Sequence, residues 1–415
     1  MNNIGDELVQ RQLIAQKTSD LLMDKINNES ITFYVGFDMT APSLHLGHGL
    51  LLKIIERLIK NGHKAIILLG GFTSKIGDPT GKTKERVLLN QDVVNQNQKS
   101  ISQQIYKILG ENGNVTIVNN NDWLSKITYE EFLIEYGKYL SVNQMIKIET
   151  ASDRLQQQLH LSLLEFNYMV LQAIDFYHLY KTYNCQLQIG GSDQWGNILM
   201  GIDLVHKKCW DTVMGMTVPL LTTSSGKKMG KTEDGAIWLD KELCPPYTMW
   251  QYLRNLPDED IVILLLKLTD LSPDEINSLA ITSNINDLKI LLADKMVQWI
   301  HGSEILNQVQ KEIQKKFYKQ NDNVFNLEEI KNDINNIGLD ANTLNNFTVE
   351  NLMMLTFESL VPSKSEAKRK ITERCVRVNG QLITEFNQNI TLETFINGVL
   401  CLELGKNHRR YIFLK

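Results

Sequence analysis

No stretch of this 415-residue chain approaches the roughly 20 consecutive apolar residues that a bilayer-spanning helix needs, so no such helix is expected. The N-terminal segment Met1 to Gln10 is polar and carries no apolar core, so a secretory leader is not expected either. Cysteine is sparse: five, at positions 185, 209, 244, 375 and 401, with no CxxC pair. That spacing suggests neither a zinc site nor a disulfide framework, and it suits a reducing cytoplasm. An excess of basic charge is missing too. The net charge of −5 argues against a surface coated for nucleic acid, although binding follows local potential and a basic patch stays open. There is no internal repeat of solenoid length. With 22% charged and 43% hydrophobic residues the composition is that of a folded soluble protein, and the length calls for two or three domains.

What is present begins with strands. Residues 31–37, ITFYVGF, are β-branched and aromatic and predict a buried strand. A loop with Pro42 and two glycines follows, then helical apolar spacing from Leu50 to Ile59, ended by Asn61-Gly62. Further strands are expected at 64–71, 115–119, 186–191 and 217–221, with helices between them. Such alternation predicts an α/β domain with a parallel sheet over 1–240. Ligands of such sheets sit at the carboxyl ends of the strands, so the loops at 38–48, 70–78 and 190–197 are where chemistry is expected. After Pro245-Pro246 the spacing turns helical, as at 260–268 and 287–300, which gives an α-helical domain over 241–330. An Asn-rich linker at 331–350 and a small α+β unit at 351–415 complete the expected partition. The last unit reads as a basic helix at 365–374 followed by the strand-like runs VRVNGQ, GVLCLEL and RRYIFLK.

Two short motifs carry the first chemical signal. His45-Leu46-Gly47-His48 follows a strand and opens a helix, so its backbone N–H groups and the helix dipole suit phosphate. His45 and His48 are three apart and face the same side, and Gly47 lets a flat base approach the backbone. By itself the tetrapeptide reads equally well as a capping turn with two surface histidines. A metal pair lacks an acidic or cysteine companion. The second motif, Gly226-Lys227-Lys228-Met229-Gly230-Lys231-Thr232, is a small cationic loop whose ammonium groups can follow a migrating phosphate. By itself it would be a solvated basic loop, and its glycine spacing is not that of a P-loop.

Together the motifs change the reading. An HxGH early and a KMxK[ST] late in one α/β domain resemble the signature of class I aminoacyl-tRNA synthetases, with Leu46 where isoleucine is common and Gly230 where serine is common. Three further blocks narrow the resemblance. They are GGFTSKIGDPTGK (70–82), YMVLQAID (168–175) and QIGGSDQWGN (188–197), with YVGFDMTAPSLHLGHG in front. Tyr168, Gln172 and Asp175 share one helical face by their spacing. These blocks resemble the bacterial tyrosyl-tRNA synthetases over essentially the whole chain. The relatives that handle tryptophan lack the YxxLQxxD block.

The resemblance implies a Rossmann-like catalytic domain, ATP as a substrate, Mg2+ bound through its phosphates, no prosthetic group and no metal held by the protein. It places Tyr34 and Asp175 at the substrate's phenolic hydroxyl, and Asp78, Tyr168 and Gln172 at its ammonium group, with Gln188 also in the substrate pocket. Thr40 and His45 would hold the far phosphate. Lys82, Arg86, Lys228 and Lys231 would surround the pyrophosphate. Asp38, His48, Asp193 and Gln194 would lie near tyrosine, ribose or α-phosphate, and Gly36 and Gly47 against the nucleotide. Position 35 is valine where some relatives have a polar ribose contact. Read as isolated residues, Tyr34 is a half-buried strand aromatic and Asp175 a solvent-facing helix acid; their joint spacing reverses that.

The last 65 residues, with VPSKSEAKRKI and VRVNG, resemble the S4 RNA-binding domain. The implied RNA contacts are Lys364, Lys368, Arg369, Lys370 and Arg377, a basic helix and turn suited to phosphates and shape. Arg374-Cys375 stand where many such domains have glycines. The helical region resembles the family's anticodon-side domain, with Asn284-Ile285-Asn286-Asp287 where relatives begin Asn-Pro-Arg-Asp. The implied partners are L-tyrosine, ATP and tRNA(Tyr), in a cytoplasmic homodimer with 129–170 near its interface and no membrane. Rival readings are a different adenylyl- or cytidylyltransferase, an RNA-binding protein on an inactive synthetase fold, and tryptophan as substrate. The length, the intact His45, His48, Lys228 and Lys231, and the Tyr34–Asp175 pair speak against each in turn.

Overall fold

The computed structural model describes residues 3–80, 89–110, 113–224, 226, 229–232, 235–317, 336–340, 344, 347–396, 398–405 and 408–414. The chain divides into two compact units, Met1–Asn307 and Gln308–Lys415.

The first unit is built on a sheet of β1 (Gln16–Lys17), β2 (Thr32–Phe37), β3 (Lys64–Leu69), β4 (Val115–Asn119), β5 (Leu187–Gly191) and β6 (Met214–Val218), in the spatial order β1-β6-β5-β2-β3-β4. All neighbours run parallel except β1, which lies antiparallel to β6. Helices cover both faces, so these strands are near-continuous apolar runs rather than alternating ones. In β3 every residue after Lys64 is buried. The strand expected at 217–221 is displaced: the ladder uses Met214–Val218, where five successive residues are buried, and Pro219 removes a donor just beyond it.

Chain order reverses at β2, with β3 and β4 on one side and β5 and β6 on the other. Pairing of β2 with β3 continues to Phe37↔Leu69, whereas pairing with β5 stops at Tyr34↔Gln188. The two strands therefore part at their carboxyl ends, at the switch point where α/β sheets bind ligands.

The helix Leu46–Lys60 leaves β2, and the helix Leu163–Tyr183 leads into β5. The latter starts at Ser162, whose hydroxyl accepts from the Glu165 N–H, and stops at Asn184 in a left-handed conformation. Just before it, Arg154 donates to both carboxylate oxygens of Glu165 at 3.0 and 3.1 Å and to the carbonyl of His160 at 2.7 Å, with both side chains buried. This pair fixes the start of the helix that carries Tyr168, Gln172 and Asp175.

The helices after residue 240, Pro246–Arg254, Ile261–Leu268, Pro273–Thr282 and Ile285–His301, belong to the first unit. Asn284 caps the last of them by accepting from the N–H groups of Asn286 and Asp287, so Asn284-Ile285-Asn286-Asp287 starts a helix without proline. Lys53, on the Leu46–Lys60 helix, ties this layer to the sheet. Its buried ammonium meets Glu56 at 2.9 Å and Asp270 at 3.0 Å and lies 4.2 Å from the centre of the Trp299 ring.

The second unit holds a sheet ordered β11-β10-β12-β13-β9, from β9 (Ile337–Leu339), β10 (Val376–Val378), β11 (Gln381–Leu382), β12 (Val399–Leu404) and β13 (His408–Leu414). Helices Val349–Thr356 and Lys364–Thr372 pack on it around Leu352, Met353, Ala367, Ile371 and Leu402. Part of the segment expected as a linker is structured: β9 pairs parallel with β13, because Ile337 and Leu339 have an apolar neighbour there and no such signal in their own Asn-rich surroundings. Arg374 has φ +56, so it takes the backbone shape of a glycine while remaining an arginine.

Among the described residues no helix is long and apolar enough to cross a membrane. Replacing Arg154 by methionine leaves the buried Glu165 carboxylate without its partner. The Arg154→Met variant is expected to lose about 3–5 kcal/mol of stability, read from urea unfolding against wild type.

Candidate active site

Where β2 and β5 part, a cleft of about 390 Å³ opens. Tyr34, Gly36, Asp38, Thr40, His45, Gly47, His48, Asp78, Tyr168, Gln172, Asp175, Gln188, Asp193 and Gln194 all line it. The sequence had drawn these residues from four separate segments, 34–49, 70–82, 168–175 and 188–197.

The closed end is formed by Tyr34 on β2 and Asp175 on the Leu163–Tyr183 helix. Both are almost fully buried, and the Tyr34 ring meets Phe176 edge-on at 5.2 Å. The Tyr34 hydroxyl has no hydrogen-bond partner among the described residues, and neither has the Gln188 side-chain oxygen beside it in the ladder. Burial raises the Tyr34 phenol well above its usual range, and the nearby Asp175 charge adds to this. Asp175 accepts from the Trp123 indole N–H at 2.8 Å and from the Asn120 amide at 3.0 Å. Burial nevertheless dominates and pushes its carboxyl up to about 7, against the lowering effect of those two donors.

The network continues from there. Asn120 donates to the Thr73 hydroxyl at 3.0 Å, Thr73 donates to Asp38 at 2.8 Å, and the Tyr168 hydroxyl donates to the other oxygen of Asp38 at 2.9 Å. Gly70 makes room for it: a Cβ there would lie 2.0 Å from an Asp38 carboxylate oxygen. Burial, then the charges of Asp38 and Asp78, raise the Tyr168 phenol. A second cluster follows along the cleft. Gln194 donates to Asp78 at 2.6 Å, and Asn197 donates to Gln172 at 3.1 Å and to Gln194 at 3.2 Å.

At the mouth, His45 is the N-cap of the Leu46–Lys60 helix. Its Nδ1 accepts from the Gly47 N–H at 3.1 Å, and the His48 Nδ1 accepts from the His45 N–H at 3.1 Å. The two rings stack with centres 4.0 Å apart. The lysine-rich loop reaches the same helix end. Gly230, at φ +81, sits so close that a Cβ would lie 2.9 Å from the Gly47 nitrogen, so glycine is required on both counts. The Gly230 N–H donates to the Tyr252 hydroxyl at 3.3 Å, and its carbonyl accepts from the Ile237 N–H at 2.8 Å. The short hairpin of β7 (Lys231–Thr232) and β8 (Gly235–Ala236) follows. Lys82, Arg86 and Lys228 lie outside the described residues; Lys231 is described as part of β7 by its backbone.

Sequence reasoning missed Thr73, Asn120, Trp123 and Asn197 as site residues. Thr73 and Asn197 lie within the blocks at 70–82 and 188–197, whereas Asn120 and Trp123 carry no motif and stand just beyond the carboxyl end of the strand expected at 115–119. In the second unit, Lys364, Lys368, Arg369 and Arg377 are exposed. Arg369 and the half-buried Lys370 are paired with Glu366 and Glu373.

The Asp175 environment has a measurable consequence. The unfolded carboxyl releases its proton near 3.8, the folded one near 7, so folding takes up a proton between those values. Stability contributed by this group is therefore full below about pH 4 and falls as pH rises to about 7. Relative to wild type, Asp175→Asn is expected to gain stability over this window, by up to about 4 kcal/mol, in urea unfolding at pH 4.5 and 8.

Comparison with known proteins identifies the family. A family described as "tRNA synthetases class I (W and Y)" matches residues 26–318. The tyrosine–tRNA ligase of Clostridium kluyveri is 40% identical over 419 residues, covering 100% of both chains. That of Pelagibacter ubique is 40% identical over 410 residues, covering 98% of each. Among solved structures, a C-terminally truncated mitochondrial tyrosyl-tRNA synthetase of Aspergillus nidulans superposes with a TM-score of 0.67 at 30% identity, over 76% of this chain and 95% of that one. The tyrosyl-tRNA synthetase of Archaeoglobus fulgidus, solved with L-tyrosine, shares the fold at a TM-score of 0.57 and 15% identity, over 74% of this chain and 99% of that one. The chain belongs to the class I tRNA synthetases, and within them to the tyrosine–tRNA ligases of bacterial type.

Proposed function

We propose that the chain activates L-tyrosine with ATP to tyrosyl-adenylate and pyrophosphate, then transfers tyrosine to the 3′ end of tRNA(Tyr). The observation that carries this is the closed end of the cleft: a buried Tyr34 hydroxyl with no hydrogen-bond partner among the described residues, facing a buried carboxylate at Asp175. A phenolic hydroxyl entering there donates to Asp175 and accepts from Tyr34. Phenylalanine would leave both unpaired, and tyrosyl-tRNA synthetases are the reference case for such rejection. Asp78, Tyr168 and Gln172 take the substrate's ammonium group, and Gln188 completes the pocket wall.

The substrate carboxylate is already ionised, so its oxygen attacks the α-phosphate without a general base. The phosphorus–pyrophosphate bond breaks in the same displacement. Catalysis then consists of positioning and of stabilising charge on the α-phosphate and leaving group. His45 and His48 accept at Nδ1 from backbone, so in their neutral form each carries its proton on Nε2 and can donate it to a phosphate oxygen. The helix N-terminus beneath them adds N–H groups and dipole. Thr40 lies on the same side, Asp38, Asp193 and Gln194 toward the ribose and α-phosphate, and Gly36 and Gly47 against the nucleotide. Lys82, Arg86, Lys228 and Lys231 neutralise the pyrophosphate. Mg2+ arrives on the phosphate oxygens of ATP and offsets their charge.

The helices between Pro246 and His301, within the 241–330 region, form the anticodon-side domain, and the 351–415 region the S4 unit, where the exposed Lys364, Lys368, Arg369 and Arg377 with Lys370 meet RNA phosphates. A homodimer is supported by the exposed apolar side chains of the 129–170 segment, Leu133, Ile134, Val142, Leu163 and Leu164, the last two of which line an apolar hollow with Phe72 and Leu171. Five free thiols suit the cytoplasm.

ATP–pyrophosphate exchange tests the reaction directly. Tyrosine is expected to support exchange, with phenylalanine and tryptophan far weaker at equal concentration. Exchange with tryptophan instead would overturn the substrate, and none with any of the three, from folded protein, would overturn the catalysis. Lys231→Ala is expected to slow exchange about a hundredfold or more, as loss of one charge-stabilising contact does. Sedimentation should give twice the 47.6 kDa chain mass for wild type and the single mass for Leu163→Glu.

A further inference from the structure

The tyrosine end of the cleft has an outer wall that none of the roles above uses. Trp123 sits in the four-residue helix Asn121–Leu124, which follows β4. Its indole N–H holds Asp175, and its ring lies flat against the imidazole of His178, with ring centres 4.2 Å apart and planes inclined by 13°. Asp175 and His178 are three apart on the Leu163–Tyr183 helix and so share a face. One turn of that helix therefore grips the indole twice: a carboxylate takes its N–H and a flat ring covers its face.

We propose that His178 is a positioning residue for tyrosine recognition, holding the Trp123 indole at the angle from which its N–H meets Asp175. The proposal rests on the reading that the substrate hydroxyl meets Tyr34 and Asp175. The four-residue helix is short, and the body of the indole packs at the edge of two apolar clusters, around Met169 and around Leu179, so the angle of its flat face is left to the His178 stack. Behind the stack lies a hollow of about 440 Å³ lined in part by Gln98, Asn119, Asp122 and Tyr183, into which an unsupported indole can turn. The Thr182 hydroxyl, 3.4 Å from the His178 Nε2, restrains the imidazole from the next turn. Burial lowers the His178 pKa, so at neutral pH the ring stacks uncharged. When the indole turns away, Asp175 keeps Asn120 as a donor and loses one of its two holds, and the carboxylate that orients the substrate hydroxyl gains freedom.

The test is steady-state ATP–pyrophosphate exchange on the full chain carrying His178→Ala, His178→Leu, His178→Phe or Asp175→Asn, with tyrosine and phenylalanine. His178→Ala and His178→Leu are expected to raise KM for tyrosine about three- to tenfold, the effect of losing one aromatic contact, with kcat within about twofold of wild type. Preference for tyrosine over phenylalanine should fall by a similar factor. His178→Phe, which keeps a flat ring, should stay within about twofold of wild type in all three. Equal behaviour of the leucine and phenylalanine variants overturns the proposal, because volume rather than stacking would then matter. A loss confined to kcat overturns it as well. If His178→Ala is too unstable to assay, the leucine–phenylalanine comparison decides. Asp175→Asn separates the two layers: with KM raised there and unchanged in the His178 variants, only the positioning role fails. If Asp175→Asn instead leaves KM and the preference for tyrosine as in wild type, the underlying reading of the pocket fails first.

Discussion

A carboxylate taken out of water needs donors, and the structure around the cleft is organised by how Asp175 obtains them. Asn120 and Trp123 reach it from the turn after β4, and the chain of bonds runs on through Thr73 and Asp38 to Tyr168. Three consecutive strand ends and the long helix before β5 are thereby joined at one point. Asp175 remains poorly compensated, since burial outweighs both donors. A buried acid with capacity left over, facing a tyrosine hydroxyl with no partner among the described residues, costs stability. In the proposed reaction a substrate hydroxyl would remove that cost, so the same desolvation that weakens the fold would supply the selectivity of the pocket.

The opposite end of the cleft depends on backbone rather than side-chain chemistry. His45 and His48 spend their Nδ1 atoms on capping the helix, which fixes both rings before any phosphate arrives. Gly230 touches the same helix end with a backbone shape and a clearance that exclude other residues. The two motifs lie about 180 positions apart in the chain, yet they meet as two pieces of main chain at a helix N-terminus.

The second unit shows the reverse economy. Arg369 and Lys370 have local acidic partners, so its positive potential rests more on Lys364, Lys368 and Arg377 than the count of basic residues implies. Its sheet also recruits β9 from the Asn-rich stretch, which places the start of the compact unit well before the basic helix.

Of the six-stranded sheet the sequence by itself determined β2, β3, β4 and β5 to within a residue or two, because buried parallel strands are written as continuous apolar runs; β6 is displaced, and the two-residue antiparallel edge strand β1 carried no such signal. It also determined the motif residues, since the chemistry of the family demands those types at those spacings, and fourteen of them line one cleft. Tertiary structure alone decided the partners of Asp175. Asn120 and Trp123 carry no motif, and they matter only because strand order puts the end of β4 across from the Leu163–Tyr183 helix. It decided β9, whose pairing is a contact between segments some 75 residues apart that no local window contains. And it decided where the cleft opens: the parting of β2 from β5 beyond Tyr34 is a property of two strands meeting, and neither strand's sequence records it.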